Sequence, residues 1–186
     1  MKKHGPWTVK SSERLYQDKY VEFRVDDVLK PSGEPSRYAT GRMLPGVSVL
    51  ALDAEGFVHL TKQFRYAVGR ESIEVVSGGL DEGEEERRAA LRELREELGI
   101  EAGDLVDLGL VDAVTSQVSA PARIYLAREL RFGEPDRGGS EVMETLRVKL
   151  EEAVRMVMAG DITHAISCVL ILKTKEVLRT EERRTE

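Results

Sequence analysis

The stretch from Gly78 to Ile100 restricts the fold of this chain more than any other. Glu84 to Leu98 reads as a helix, entered through Gly78-Gly79-Leu80-Asp81-Glu82-Gly83 and closed by Gly99, where a left-handed cap is wanted. At about 100° per residue, Glu93 and Glu97 fall one turn apart on the same face, with Glu96 beside them. Ala90, Leu94 and Leu98 fall on the neighbouring stripe. Such a helix needs an apolar surface to lie on, and strands elsewhere in the chain must supply it.

Those strands are visible as changes of period. Val21, Phe23 and Val25 alternate with Glu22, Arg24 and Asp26, the pattern of a half-buried strand. Pro31 to Ser36 is a turn, and Arg37 to Met43 returns as its partner. This predicts a small antiparallel sheet over residues 1–43, too small to be stable alone, packed on its own main domain or on another subunit. From Gly46 the strands are more apolar. Val47 to Leu52 runs into the hairpin signal Asp53-Ala54-Glu55-Gly56 and returns over Val58 to Arg65. Ser72–Ser77, Leu105–Ala113, Ile124–Leu130 and Thr145–Leu150 follow as strands, Glu151–Met158 as a short helix ended by Gly160, and Ile162–Leu178 as a core helix. The charged residues from Arg179 onward are expected to fray. The fold class is α/β, a sandwich with a mixed sheet, with the main domain over 44–186.

Composition narrows the function. Among 186 residues, 34 Asp+Glu against 28 Lys+Arg give a net charge of −6, which argues against a general nucleic-acid binder. Hydrophobic residues at 41% suffice for a core, but no apolar run approaches the roughly 20 needed to span a bilayer. The start, Met1-Lys2-Lys3-His4-Gly5-Pro6-Trp7, has no apolar stretch behind its lysines. The single cysteine, Cys168, excludes an internal disulfide framework and a cysteine-based zinc cluster. These features lead to the expectation of a cytoplasmic protein without nucleic-acid or membrane partners.

Three carboxylates at one helix edge repel, and a solvated acidic face is the ordinary reading of such a cluster. The alternative is a site for a hard divalent cation. Carboxylate oxygens without His or Cys favour magnesium, or manganese, over zinc. The complete spacing favours the second. From Gly78 the chain satisfies G-x(5)-E-x(7)-R-E-U-x-E-E-x-G-U, with U aliphatic, at Gly78, Glu84, Arg92, Glu93, Leu94, Glu96, Glu97, Gly99 and Ile100.

This segment resembles the Nudix box of the Nudix hydrolases, with no departure inside the motif. The flanks resemble the ADP-ribose pyrophosphatase branch of that family. Gln63-Phe64-Arg65-Tyr66 stands for its Gln-x-Arg-Tyr pattern, and Glu74-Val75-Val76-Ser77-Gly78 for its Glu-x-Pro-Ala-Gly pattern. Val76 replaces the proline, and Thr115 to Pro121 replaces a Ser-Pro-Gly loop that shapes the pocket for the terminal ribose.

The resemblance implies an α/β/α sandwich and metal-dependent hydrolysis of a small nucleotide, ADP-ribose or a related nucleoside diphosphate sugar, to a nucleoside monophosphate and a sugar phosphate. Glu93 and Glu97 become the main ligands of Mg2+ (or Mn2+), with Glu96 assisting and the Ser77 carbonyl a further ligand. Gly78 lets the backbone approach metal and phosphates. Arg92 is expected to fix the loop by pairing with a carboxylate, Glu84 being one candidate, rather than to perform chemistry. Arg65, and less strongly Arg42, are candidates for the phosphates, with an Arg65–Glu74 ion pair as the alternative. A general base is expected on the loop Gly138 to Glu144, at Glu144 first and Glu141 second. The N-terminal sheet implies a homodimer. Competing readings are a Nudix hydrolase of a triphosphate or dinucleoside polyphosphate, and a nucleotide-sensing module, which the four retained box glutamates disfavour.

His4, His59 and His164 show no ligand spacing, and Cys168 is expected to pack as a small hydrophobe. Trp7 reads as an anchor for the first sheet, with base stacking as its second reading.

Overall fold

The computed structural model describes residues 1–136 and 143–185. In chain order the elements are β1 (Lys2–His4), β2 (Trp7–Gln17), β3 (Val21–Leu29), β4 (Pro35–Met43), β5 (Gly46–Leu52), β6 (Phe57–Arg65), β7 (Arg70–Glu74) and β8 (Val76–Gly79). Then come α1 (Glu86–Leu98), β9 (Ile100–Asp112), β10 (Val118–Ser119), β11 (Pro121–Phe132), β12 (Met143–Lys149), α2 (Leu150–Ala159) and α3 (Ala165–Thr185). They form two compact units, Met1–Pro45 with Asp112–Pro121, and Gly46–Val111 with Ala122–Glu186.

The first unit is a five-stranded sheet in the order β1-β2-β3-β4-β10. The β3–β4 hairpin is the one the sequence indicates, with Val25 opposite Ala39 and Asp26 opposite Tyr38. Gly33, at φ 88°, takes the left-handed place in its turn. The polarity of β3 is the reverse of what its alternation suggests: Phe23 is 46% exposed, whereas Val28, on the opposite face, is buried. A sheet without its own helix has no single face that must be the inner one. β10 adds a parallel pairing, Val118 opposite Gly41 and Ser119 opposite Arg42. Residues 112–121 thus return to a unit that the sequence divides off near residue 43.

The second unit has a mixed sheet in the order β12-β6-β5-β11-β9, with β7 paired to β6 and β8 to β5. Its centre is the parallel pair β5–β11, from Gly46 opposite Ala122 to Ala51 opposite Ala127. Both strands are apolar on both faces because helices cover both. Val47, Val49, Ala51, Tyr125 and Ala127 pack with Ala89, Ala90, Leu94 and Leu98 of α1. Leu50, Leu52, Ile124 and Leu126 pack with Leu150 and Ala153 of α2 and Leu170 and Ile171 of α3. This is the α/β/α sandwich, and each fully buried leucine contributes about 1.5–3 kcal/mol.

α1 ends where expected, with Gly99 left-handed at φ 66° and its N–H returned to the Arg95 carbonyl. α3 corrects the expectation of a frayed end. It continues past Leu178 to Thr185, because Arg128 reaches Glu181 at 3.0 Å and Arg179 pairs with Glu176 at 2.5 Å. Among the described residues, no helix is long and apolar enough to cross a membrane.

Candidate active site

β8 pairs antiparallel with β5, setting Ser77 opposite Ser48 and Gly78 opposite Val47. The Ser77 and Ser48 hydroxyls lie 2.8 Å apart, which ties the residue before the box glycine to the buried central strand. Ser48 was not legible as a site residue: its signal was a lone hydroxyl inside an apolar run. Gly46 is a second such residue, since a Cβ there would stand 3.0 Å from the Gly78 carbonyl oxygen.

From Gly79 the chain turns, with the Glu84 N–H on the Asp81 carbonyl, and enters α1. Burial of Ala90, Leu94 and Leu98 on the sheet fixes the rotation of α1, and this presents Glu93 to Gly78. A Cβ at position 78 would overlap the Glu93 carboxylate. Glycine is required here to leave room for that side chain. Gly78→Ala is therefore expected to displace Glu93 and cost at least tenfold in turnover with the fold retained, as read by steady-state assay beside circular dichroism; wild-type turnover would show the contact to be dispensable.

Arg92 organises the cluster. Its Nε and Nη2 donate to the two oxygens of Glu84 at 2.9 and 2.8 Å. Nη1 donates to Glu93 at 2.6 Å and Glu96 at 3.1 Å, and Nη2 also reaches the Gly79 carbonyl at 3.1 Å. The expected Arg92–Glu84 pair is present, and it lowers the Glu84 carboxyl to about 2. Burial pushes the Glu93 carboxyl above its ordinary value, against the pull of Arg92. Oε2 of Glu97 is shielded from solvent one turn farther along.

Among the described residues no three carboxylate, imidazole or thiol groups are placed to hold one ion, and Arg92 supplies the positive charge between Glu93 and Glu96. The surroundings nonetheless fit a hard divalent cation. The donors are all oxygens, two come from successive turns of an anchored helix, and Gly78, lacking a Cβ, leaves room for the Glu93 carboxylate.

The other described candidates lie on other elements. Arg65 is bound to Glu74 through Nε at 3.1 Å and Nη2 at 2.5 Å, the ion pair that was the alternative to phosphate binding. Glu74 is buried, and its carboxyl lies below its ordinary value because the hydrogen bonds from Arg65 and Ser72 outweigh the cost of burial. Glu144 is not in a loop: it is the second residue of β12, opposite Lys62 and 3.5 Å from its Nζ. Glu141 lies outside the described residues. Arg42 belongs to the first unit, where it lines a cleft with Trp7 and Tyr38. Two histidines have structural partners, His59 meeting Asp53 at 3.3 Å and His164 meeting Ser167 at 2.8 Å, whereas His4 is exposed at the end of β1. Cys168 is half-buried, with its thiol on the Ile162 carbonyl.

The site is thus a helix edge of carboxylates, steadied by an arginine and faced by a glycine strand. The NUDIX domain model matches residues 42–166. The chain is 31% identical over 176 residues to the ADP-ribose pyrophosphatase of Bacillus subtilis (strain 168), covering 92% of this chain and 95% of that protein. It is 31% identical over 170 residues to the ADP-ribose pyrophosphatase of Mycobacterium tuberculosis (strain ATCC 25618 / H37Rv), covering 90% and 82%. A crystal structure of an ADP compounds hydrolase shares the fold with a TM-score of 0.79 at 22% identity, covering 98% of this chain and 100% of the other. The chain belongs to the Nudix hydrolase family.

Proposed function

We propose that this enzyme hydrolyses the pyrophosphate bond of ADP-ribose or a related nucleoside diphosphate sugar in the cytoplasm, releasing a nucleoside monophosphate and a sugar phosphate. The observation that carries the reading is the intact carboxylate edge of α1 against Gly78, joined to the ADP-ribose pyrophosphatases among its relatives. Glu93, Glu97 and Glu96, with the Ser77 carbonyl, are the groups that hold Mg2+ or Mn2+. The ion, when bound, neutralises phosphate charge and acidifies water. Arg92 holds Glu93 and Glu96 in place and Gly78 admits the phosphates. Arg65, whose guanidinium already holds Glu74, is the first candidate for the phosphates and Arg42 the weaker one, with a purely structural Arg65–Glu74 pair as the alternative. Glu144, or Glu141, takes the proton of the attacking water as the P–O bond to the leaving phosphate breaks.

The test is a panel of ADP-ribose, other nucleoside diphosphate sugars, nucleoside triphosphates and dinucleoside polyphosphates with magnesium, read by phosphate release after phosphatase coupling. Preferred cleavage of a diphosphate sugar supports the reading. Preference for another nucleotide replaces the substrate, and no cleavage at all leaves a nucleotide-sensing module.

We also propose a homodimer formed through the N-terminal sheet. Leu15, Tyr16, Tyr20 and Phe23, in or beside β2 and β3, are all about half exposed, and large apolar side chains left in water support an interaction surface on this sheet. Light scattering at micromolar concentration should give twice the chain mass; a fully active monomer would refute it.

A further inference from the structure

In the second unit, β5 and β6 pair directly at Ala51 with His59 and Leu52 with Val58. Beyond these residues the chain between Arg70 and Gly79 changes partner: β7 pairs with β6 as far as Glu74 opposite Thr61, and β8 pairs with β5 from Val76 opposite Val49. Val75 is the crossing point and belongs to neither ladder. Its side chain packs with Leu170 and Ile171 of α3, whereas that of Val76 packs with Leu94 of α1. A main-chain N–H that leaves a ladder inside a core needs another acceptor. Ser167, the third residue of α3 and fully buried, supplies it: its Oγ accepts the Val75 N–H at 3.0 Å. The hydroxyl proton is left for His164 Nδ1, 2.8 Å away. The Val75 carbonyl is also used, accepting from the Ser77 hydroxyl at 3.2 Å. With the 2.8 Å contact between the Ser77 and Ser48 hydroxyls, one chain of hydrogen bonds runs from α3 through Val75 and Ser77 to the central strand.

We propose that Ser167 is a positioning residue for the hydrolysis: by holding the Val75 amide it sets the depth at which β8 presents the Ser77 carbonyl and Gly78 to the carboxylate edge of α1. It acts through Val75 and Ser77 and touches no reacting atom. The margin it controls is narrow, because the Glu93 carboxylate occupies the space that a Cβ on Gly78 would fill. A strand that slides or tilts there changes both the carbonyl and the room left for Glu93. Groups that orient a metal ligand from behind are typically worth about 10–100-fold in metal affinity or activity. The inference rests on the reading of this edge as a divalent-cation site, and its test includes a measurement without turnover.

Ser167→Ala removes one buried oxygen and leaves the Val75 N–H without its acceptor. In this variant kcat should fall by about tenfold with the Michaelis constant nearly kept, and Mn2+ titrated calorimetrically into the whole, metal-free protein should bind about tenfold more weakly. Ser167→Cys, whose thiol is a weaker acceptor of nearly the same size, should fall between the two. His164→Ala is the control for a loosened start of α3: it takes away the other partner of Oγ and leaves the Val75 bond, so kcat and Mn2+ affinity should stay near wild type even if the melting midpoint drops. Unchanged kcat or unchanged Mn2+ affinity in Ser167→Ala would overturn the role, and so would an equal loss in His164→Ala. A wild-type protein that cleaves the panel beside a Ser167→Ala variant that matches it keeps the hydrolase reading and removes the positioning role. A wild-type protein that cleaves nothing removes the hydrolase reading, and the Mn2+ titration then decides this inference alone. Failure of the wild-type protein to bind Mn2+ overturns it together with the cation site.

Discussion

Glu93→Gln and Glu97→Gln should each lower turnover by about three orders of magnitude at saturating magnesium, with an unchanged far-ultraviolet spectrum. A divalent cation on a phosphoryl oxygen is worth several kcal/mol of charge stabilisation, and each 1.4 kcal/mol or so is tenfold in rate. The amide keeps the size of the side chain and removes the anionic oxygen. At Glu93 the amide oxygen remains an acceptor for Arg92 Nη1, and Glu84 still holds the guanidinium by two bonds, so the variant removes charge rather than the lock. Glu85→Gln is the control: Glu85 caps α1 without a side-chain hydrogen bond, and its replacement should be almost silent. Near-wild-type turnover in either Glu93→Gln or Glu97→Gln would remove the helix edge from the chemistry.

The next largest effect is expected at the proton acceptor. General-base catalysis is worth about 10²–10⁴-fold, so Glu144→Gln should lose at least the lower end of that range in kcat with the Michaelis constant nearly kept. Glu141→Gln should lose less. Glu144 starts from an ion pair with Lys62, which also bonds Glu71 at 2.7 Å, so the lysine keeps a partner in the variant and the loss reads on chemistry rather than on folding. The opposite ranking would move the base to Glu141. Two silent variants would leave the box glutamates to do the work alone.

The parts of this molecule legible in its sequence are those fixed by local rules. The edge of α1, its Gly99 cap and the Arg92–Glu84 lock follow from spacing along one helix and the loop before it. The two-sided apolar strands β5 and β11 announce a covered sheet. β1 and β2 were not legible: Trp-Thr-Val-Lys-Ser-Ser-Glu-Arg-Leu-Tyr-Gln does not alternate, and most of its residues are exposed, so no burial imposes a period. β10 is two residues long and is a strand only because Gly41 is there to receive it. The bond from Val75 to Ser167 and the contact of Gly78 with Glu93 are facts about residues distant in sequence. Neither has a one-dimensional signature.

The parallel pairing of β10 with β4 also bears on how the chain is made. Val118 follows Gly41 by 77 residues. At translation rates of about 5–20 residues per second, the open side of β4 waits on the order of 4–15 s for its partner to be synthesised. During that interval the Gly41–Arg42 end of β4 lacks its partner and is open to another extended segment. A holdase that grips extended segments would find this strand end free between the synthesis of Met43 and that of Ser119.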